Sequence, residues 1–316
     1  MTEILRVENL KKYFNTPKGL LHAVDGVNFT INKGDTLGLV GESGCGKSTI
    51  GRLILRLLEA TDGKVTFEDK NLFGLSKQEM VKMRGEMQII FQDPFSSLNP
   101  RMSVSEIIGE PLVIHGKVKG AADLSKAVKD LMDRVGLAER LNNSYPHELD
   151  GGRRQRIGIA RALALEPKFI VADEPVSALD VSIQAQILNL MQDLQDEFGL
   201  TYLFITHDLS VVKHFSDDIA VMYLGQLVEK APKGKLFEKP LHPYTQALLS
   251  AIPVPSLTQK RERILLKGEI SSPINPKPGC RFASRCPYAF DKCTQADPEL
   301  IETEPDHFVA CYMVNK

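Results

Sequence analysis

The sequence predicts an α/β fold, and three features of the chain support that class. Residues 36–41 and 168–173 are short, continuously apolar runs, which is the composition of strands buried in a parallel sheet. An amphipathic segment at 182–199 separates the second run from another apolar run at 200–208, and this strand–helix–strand order is typical of α/β sheets. A glycine-rich loop, GESGCGKST, joins the first run to a helical segment.

The remaining elements follow in order along the chain. Turns rich in Gly, Asn, Asp and Lys separate predicted strands at residues 4–10, 24–31, 36–41 and 64–69. Residues 102–165 change to helical spacing, with one helix predicted to end at Gly136, and the 182–199 helix is predicted to end at Gly199. Beyond Gly234 the chain becomes proline-rich and then cysteine-bearing, so we place a domain boundary there.

Composition restricts the classes of function. The 316 residues carry a formal net charge of -1, so nothing indicates the basic stripe of a nucleic-acid-binding protein. No apolar run approaches the roughly 20 residues of a membrane-spanning helix, and the first residues lack the layout of a signal peptide. We therefore expect a cytosolic chain that contacts the membrane only through partners.

The glycine-rich loop has the spacing of a phosphate-binding loop. Gly41 and the run Gly46-Lys47-Ser48 fit G-x-x-x-x-G-K-[ST], directly after an apolar strand and before a helix. Glycines let backbone amides surround a phosphate at a helix N-terminus, where the helix dipole favours an anion. We predict that Lys47 reaches the β- and γ-phosphates and that Ser48 binds Mg²⁺. The other predicted binding residues of the loop are Ser43, Gly44, Cys45 and Thr49, the last supporting the α-phosphate.

A second pair of residues completes the predicted chemistry. The apolar run at 168–173 ends in Asp173, which we predict in the second shell of the metal, and Glu174 follows as the residue that polarises an attacking water. Alone, an Asp-Glu pair at a strand end is also a common helix cap. Together with the glycine loop, it predicts a magnesium-dependent NTPase.

With these pieces the sequence resembles the ATP-binding subunit of an ABC transporter, through essentially the whole chain. The resemblance implies a P-loop NTPase cassette with a RecA-like core, an antiparallel β subdomain and a helical subdomain. On this pattern the cassette covers residues 1–234, its helical subdomain about 93–165, and a small metal-binding extension 235–316.

The resemblance also implies roles for further residues. Phe14 matches the aromatic that stacks on adenine, with Tyr13 as the less favoured candidate. Gln92 matches the glutamine that links Mg²⁺ and the attacking water to the membrane part, and His207 matches the histidine that contacts the γ-phosphate. Residues 149–155, LDGGRRQ, occupy the signature motif. Residues 177–180, SALD, match the loop that crosses the dimer interface and ends at Asp180.

The segment beyond Gly234 is similar to the C-terminal extension of oligopeptide and dipeptide importer ATPases, with nickel-type relatives as the alternative. It looks most like the second of two non-identical ATPases in such systems. The implied partners are a paralogous ATPase subunit, two transmembrane permease subunits and an extracytoplasmic peptide-binding protein. The chain would then be peripheral, on the cytoplasmic face of the cell membrane.

The signature motif departs from the usual family pattern, which has Ser at position 150 and Gln at position 153. Asp150 can cap the helix that follows, as Ser does, but when ionised it cannot donate a hydrogen bond to the γ-phosphate bound on the opposite chain. Two unit charges 4 Å apart repel by about 4 kcal/mol at an effective dielectric near 20. Either this composite site is degenerate, or Arg153, three residues on, neutralises Asp150 and takes over the phosphate contact; we favour the second. Gly151 and Gly152 complete the motif.

The extension carries a cysteine cluster with the spacing C-x5-C-x6-C-x17-C, formed by Cys280, Cys286, Cys293 and Cys311. Four thiolates suit zinc or an iron–sulfur cluster. The gaps are wider than in zinc ribbons, and the resemblance implies a [4Fe–4S] cluster, with zinc or no metal as alternatives. Because this proline-rich tail shows no evident core, we expect the metal to act as a structural staple.

There are two rival functions, one within the same superfamily and one of a different class. A non-transport ABC ATPase acting on DNA or ribosomes usually carries tandem cassettes or a long coiled-coil insertion, and this sequence has neither. An ATP-binding regulatory scaffold that senses redox state through the cysteines is the second rival.

Overall fold

The computed structural model describes residues 2–252, 263–266, 268 and 272–314. The chain divides into two compact units, the first formed by Met1–Phe73 and Thr206–Lys316 and the second by Gly74–Ile205. The elements, in chain order, are β1 Glu3–Thr16, β2 Gly19–Asn32, β3 Thr36–Val40, α1 Lys47–Ile54, β4 Asp62–Phe67, β5 Lys70–Asn71, α2 Lys77–Glu86, β6 Met87–Ile90, α3 Pro94–Ser97, α4 Val104–Ile114, α5 Ala121–Arg134, α6 Gly151–Leu163, β7 Phe169–Asp173, α7 Val181–Phe198, β8 Thr201–Thr206, α8 Leu209–Phe215, β9 Asp218–Tyr223, β10 Gln226–Pro232, α9 Lys233–Glu238, α10 Pro243–Ser250, β11 Ile301–Glu304 and β12 His307–Val309.

The first unit contains two groups of strands. An antiparallel sheet has the order β2-β1-β4-β5, and Val7 of β1 pairs with both Phe29 of β2 and Val65 of β4. Leu5 and Val7 of β1 are buried with exposed Arg6 between them, because successive residues of a strand face opposite sides. In the second group, β11-β12-β10-β9 is antiparallel and β3 runs parallel to β9. All five residues of β3 are buried, which confirms the buried strand predicted from its apolar sequence.

The second unit combines parallel strands with helices. β7 lies between β6 and β8, and Ile170 pairs with Gln88 on one side and Tyr202 on the other. Helices α4, α5 and α6 pack on one another, as the helical spacing of this region predicted. α5 is followed by Gly136 at φ 67° and α7 by Gly199 at φ 63°, so both predicted helix ends are confirmed.

The extension is built around an aromatic core, which corrects the expectation that the tail has none. Phe282 is fully buried; it packs edge-on against Tyr223, with ring centroids 5.3 Å apart, and at a tilt against Tyr244, with centroids 5.4 Å apart. Its ring also lies 5.7 Å from that of His242. The sequence did not reveal this core, because the contacting residues are far apart in the chain and form no local pattern.

A buried carboxylate joins two segments of the extension to β10. Glu229 of β10 accepts hydrogen bonds from the backbone amides of Leu241 and His242, at 2.7 and 3.0 Å. Its Oε1 atom also lies 2.7 Å from Nε2 of His307 in β12. The side chains of Glu229 and His307 are both fully buried, and with these partners the carboxylate fixes both segments against β10.

In the part of the chain that the structure describes, no helix is both long and apolar enough to span a membrane.

Candidate functional site

The glycine loop between β3 and α1 has a backbone that side chains would obstruct. Gly41 has φ 156° and Gly46 has φ 106°, in the region that favours glycine. A Cβ atom would lie 2.2 Å from the carbonyl oxygen of Met222 at Gly41, and 2.1 Å from that of Ala23 at Gly46. At both positions the loop therefore packs so closely against neighbouring backbone that a side chain would not fit.

Lys47, the first residue of α1, points back into this loop. Its side chain is 4% exposed, and Nζ donates hydrogen bonds to the carbonyl oxygens of Gly41 at 2.9 Å and Glu42 at 3.2 Å. Ser48 and Thr49 follow in the first turn of the helix. A buried ammonium group and the amides of a helix N-terminus are the groups that bind a phosphate in such loops.

Cys45 is a packed residue of the loop. Its side chain is buried, and burial raises the pKa of its thiol above the ordinary value. Its carbonyl oxygen accepts a hydrogen bond from the amide of Gly225 at 2.9 Å. A buried thiol with a raised pKa is a poor nucleophile, so Cys45 acts in the loop as a small packed side chain.

The second unit brings two of the predicted residues into contact. Asp173 is buried at the end of β7, and Glu174 follows it with a left-handed backbone, φ 48°, its amide donating to the carbonyl of Ile205. Nε2 of Gln92 donates a hydrogen bond to Oε2 of Glu174 over 3.0 Å. A non-glycine residue held at positive φ costs about 1–3 kcal/mol, and such residues cluster at functional sites.

The signature residues form the start of α6. Asp150 is the N-cap, and its Oδ1 accepts from the amide of Arg153 at 2.8 Å, so the predicted cap is confirmed. Nη1 of Arg153 lies 3.4 Å from Oδ2 of Asp150, so the predicted pairing of the two side chains is present as well. Both side chains are exposed, and such ion pairs contribute only about 0–1 kcal/mol to stability.

The two signature glycines pack against the segment that carries Asp180. A Cβ atom at Gly151 would lie 3.0 Å from the side chain of Leu179, and one at Gly152 would lie 2.7 Å from that of Ile183. Asp180 caps α7, accepting from the amide of Ile183 at 3.0 Å. The structure thus joins residues 150–153 and 177–183 in one local arrangement.

Tyr13 and Phe14, the two aromatic candidates on β1, have different surroundings. The ring of Tyr13 stacks on His22, with centroids 4.0 Å apart, and its hydroxyl donates to Asp25. Burial, followed by the hydrogen bond to Asp25, raises the pKa of Tyr13 above its ordinary value. Phe14 is half-buried, with Nζ of Lys12 4.9 Å from its ring centroid.

Comparison with known proteins assigns the chain to a family. Residues 24–177 match the family model of ABC transporters, and residues 228–293 match that of the oligopeptide/dipeptide transporter C-terminal region. The chain is 53% identical to the oligopeptide transport ATP-binding protein AppF of Bacillus subtilis (strain 168), over 98% of this chain and 97% of the relative. It belongs to the ATP-binding subunits of oligopeptide ABC transporters.

Other members and solved structures agree with this assignment. The oligopeptide transport ATP-binding protein OppF of Salmonella typhimurium (strain LT2) is 52% identical over 96% of this chain and 92% of its own length. The dimeric post-hydrolysis structure of the ATP-binding cassette MJ0796, bound to ADP and Pi, superposes with a TM-score of 0.66. It is 30% identical, covering 73% of this chain and 99% of that one. The fold is therefore that of an ABC ATPase cassette.

His207 follows β8 in this ABC ATPase and is exposed. The next residue, Asp208, caps α8 by accepting from the amide of Ser210 at 2.7 Å. His207 therefore lies between the end of β8 at Thr206 and the cap of α8 at Asp208. The contact of His207 with a γ-phosphate stays a prediction.

The oligopeptide-type extension touches the glycine loop through residues that the sequence did not single out. The amide of Glu42 donates to the hydroxyl of Tyr244 in α10 at 2.9 Å. Nη1 of Arg285 donates to both carboxylate oxygens of Glu42, at 3.1 and 2.8 Å, and this hydrogen bond raises the pKa of the guanidinium. Arginines beside Cys280 and Cys286 were the available signal, but their sequence positions do not reveal a partner more than 240 residues away.

The four cysteines of the extension line one small cavity of about 20 Å³. The amide of Cys280 donates to the carbonyl oxygen of Cys293 at 2.8 Å, and burial raises the pKa of the Cys280 thiol to about 11. The donor set suits iron–sulfur or zinc, but the cavity holds roughly one water-sized atom. Within residues 2–252, 263–266, 268 and 272–314, no three His, Cys, Asp or Glu side chains are placed to hold a metal ion.

Proposed function

We propose that this chain binds and hydrolyses ATP to power the import of di- or oligopeptides through an ABC transporter. The observation that carries the proposal is the combination of both family matches with Lys47 turned into its glycine loop. The alternative is an importer of nickel or another small solute, driven by the same ATPase.

The loop would bind the phosphates of ATP through its backbone amides and Lys47. Lys47 now donates to two carbonyl oxygens of its own loop, so a phosphate offers a charged acceptor in exchange for two neutral ones. The other contributing loop residues are Gly41, Ser43, Gly44, Cys45, Gly46, Ser48 and Thr49. The adenine would stack on Phe14, because Tyr13 is engaged with His22 and Asp25.

Ser48 and Gln92 would hold Mg²⁺, and Asp173 would belong to the second shell of the metal. Bound Mg²⁺ would neutralise charge on the transferring phosphoryl group. Glu174 accepts a hydrogen bond from Gln92, which orients its carboxylate. Glu174 would hold and polarise that water, and His207 would contact the γ-phosphate.

Two ATPase subunits would sandwich the nucleotides, the glycine loop of one facing the signature motif of the other. We propose a paralogous subunit as the partner, together with two transmembrane permeases and an extracytoplasmic peptide-binding protein. This chain would then lie peripherally on the cytoplasmic face of the membrane. Asp150, Gly151, Gly152, Arg153 and Asp180 would face the partner's nucleotide, and the Asp150–Arg153 ion pair supports compensation over a degenerate site.

We also propose that the four cysteines take an iron–sulfur cluster, with zinc as the alternative, after their cavity widens. Their shared cavity supports the proposal, and its small volume counts against it. Anaerobically purified protein should contain about four irons and absorb near 400 nm, roughly where thiolate-to-iron bands fall. Colourless protein with one zinc would contradict the iron–sulfur proposal, and metal-free protein would contradict both.

Uptake measurements test the transport proposal. In the native host, Lys47→Ala should abolish uptake of a labelled tripeptide while nickel uptake stays unchanged. The reverse pattern would favour the nickel alternative. In vitro, the Glu174→Gln chain alone should be examined by size exclusion with and without ATP. An ATP-dependent homodimer would indicate that Asp150 tolerates a γ-phosphate opposite it, whereas a monomer that still binds ATP would indicate an obligate partner.

A further inference from the structure

We propose that Arg285 is a positioning residue for the nucleotide: by binding Glu42 it fixes the glycine loop and neutralises the acidic side chain that the loop carries. The proposal rests on the proposed assignment of residues 41–49 as the ATP site. It assigns the C-terminal extension a direct part in ATP affinity.

Glu42 is held at three points. Its amide donates to Tyr244, its carbonyl oxygen accepts from Nζ of Lys47, and its carboxylate accepts from Arg285. Two of these three partners, Tyr244 and Arg285, lie in the extension. Because the carbonyl of Glu42 also holds Lys47, a shift of this residue moves the ammonium group that we assign to the phosphates.

The ion pair is better shielded than a surface pair. The side chain of Arg285 is 9% exposed and that of Glu42 is 24% exposed. The same Nη1 atom also donates to the hydroxyl of Tyr223 at 3.3 Å, and the guanidinium lies 5.9 Å from the centroid of that ring. These contacts with Tyr223 hold the Arg285 side chain in the conformation that pairs with Glu42. An exposed arginine would pay conformational entropy to form the pair, and solvent would screen it.

Charge explains why the pair matters for an anionic ligand. Glu42 is the acidic residue of a loop that we assign to a polyphosphate. Without Arg285, its half-buried carboxylate would keep a full negative charge beside that ligand and repel it. Arg285 therefore pairs with Glu42 of the loop and does not contact the ligand itself, so its effect on ATP affinity is indirect.

The turn that carries Arg285 is anchored on both sides. It runs from Cys280 to Cys286, inserts Phe282 into the aromatic core, and places Arg281 against Asp25 and the carbonyl of Leu224. The amide of Arg285 donates to the carbonyl of Phe282 at 3.0 Å. A rigid turn holds the guanidinium in place, as a positioning role requires.

The test measures ATP affinity of the full chain by calorimetry, together with KM and kcat. Arg285→Met should raise the Kd for ATP on the order of tenfold, and KM with it, while kcat stays within about twofold. Adding Glu42→Gln to Arg285→Met should recover most of the affinity, because no uncompensated carboxylate remains. Arg285→Lys should fall between wild type and Arg285→Met. Unchanged Kd in Arg285→Met, or no recovery in the double variant, would overturn the proposal.

Controls separate this proposal from the one it rests on. Lys239→Met removes an exposed ion pair with Glu304 in the same extension, and should leave ATP affinity unchanged. Lys47→Ala should lose ATP binding; if it binds as wild type does, the assignment of the loop fails, whatever Arg285 does. If Arg285→Met does not fold, Arg285→Lys decides: a threefold or greater rise in Kd at an unchanged Tm supports the proposal, and an unchanged Kd overturns it.

Discussion

Gln92 and Glu174 are joined by a hydrogen bond of 3.0 Å, although 82 residues separate them in the sequence. Gln92 follows strand β6, and Glu174 follows the adjacent parallel strand β7. Because the carboxyl ends of neighbouring parallel strands meet at one edge of a sheet, this contact follows from the topology. It gives the predicted catalytic carboxylate a fixed partner within one unit of the fold.

Replacing Glu174 with Gln should remove hydrolysis and preserve nucleotide binding. The amide keeps the size of the side chain but cannot polarise water, so we expect kcat to fall about 10²–10⁴-fold with the Kd for ATP little changed. Glu197→Gln, which alters an exposed acid of α7, is the matched control and should retain full turnover. A Glu174→Gln chain that still hydrolyses ATP at more than a tenth of the wild-type rate would contradict the assigned role.

Asp150→Ser separates the two interpretations of the signature motif. Ser caps helices about as well as Asp, so stability should change by less than about 0.5 kcal/mol, whereas Asp150→Ala should cost about 1 kcal/mol. If Arg153 compensates, Asp150→Ser should leave ATPase turnover of the assembled dimer unchanged or lower it. Higher turnover would instead indicate a degenerate composite site. Thermal unfolding and steady-state ATPase rates measure the two effects.

Gly46→Ala and Gly44→Ala form a matched pair in the glycine loop. Both positions have positive φ, at 106° and 78°, so each alanine costs about 1–2 kcal/mol in backbone strain. A Cβ atom at Gly46 would also meet the carbonyl of Ala23 at 2.1 Å, whereas at Gly44 nothing lies within 4 Å. Gly46→Ala should therefore lower Tm further and weaken ATP binding more. Equal effects on Tm would mean that the loop moves freely away from Ala23.

His242 should make stability depend on pH. Burial lowers the pKa of its imidazole from 6.5 to about 4, and its Nδ1 accepts from the amide of Tyr244. Between pH 6.5 and pH 4 the imidazole of His242 is therefore protonated in the unfolded chain and neutral in the folded chain. The contribution is therefore complete above pH 6.5 and lost as pH falls toward 4, by about 3 kcal/mol.

His242→Asn tests this dependence, because Asn caps helices well and does not titrate in this range. In urea unfolding, the free energy of unfolding of wild type should fall between pH 7 and pH 4. The fall should be smaller in the variant by the contribution of His242. His214→Asn, at an exposed position of α8, should keep the wild-type profile. An identical profile for His242→Asn and wild type would show that other groups cause the acid sensitivity.

Local features of the structure followed closely from the sequence. The glycines of the loop, the cap at Asp150, and the ends of α5 and α7 each depend on residues within a few positions of one another. The apolar strands were equally clear, because burial on both faces requires an uninterrupted apolar run. The predicted roles of Phe14, Gln92 and His207 came from the family resemblance, because a single residue carries no pattern of its own.

Long-range relationships could not be predicted in the same way. The core of the extension joins Phe282 to Tyr223 and Tyr244, and the pairing of Glu42 with Arg285 spans 243 residues. Neither contact produces a periodic pattern or a fixed spacing in the sequence, since each joins segments that only the three-dimensional fold brings together. The small volume of the cavity between the four cysteines could not be predicted either, because spacing along the chain does not fix a cavity volume.

The unit that holds the glycine loop is assembled from both ends of the chain, with residues 74–205 inserted between them. Arg285 is synthesised 243 residues after Glu42. At about 5–20 residues per second this separation amounts to about 12–50 s on the ribosome. The glycine loop is thus made well before its ion-pair partner, and the contact between Glu42 and Arg285 forms only after the ribosome has passed residue 285.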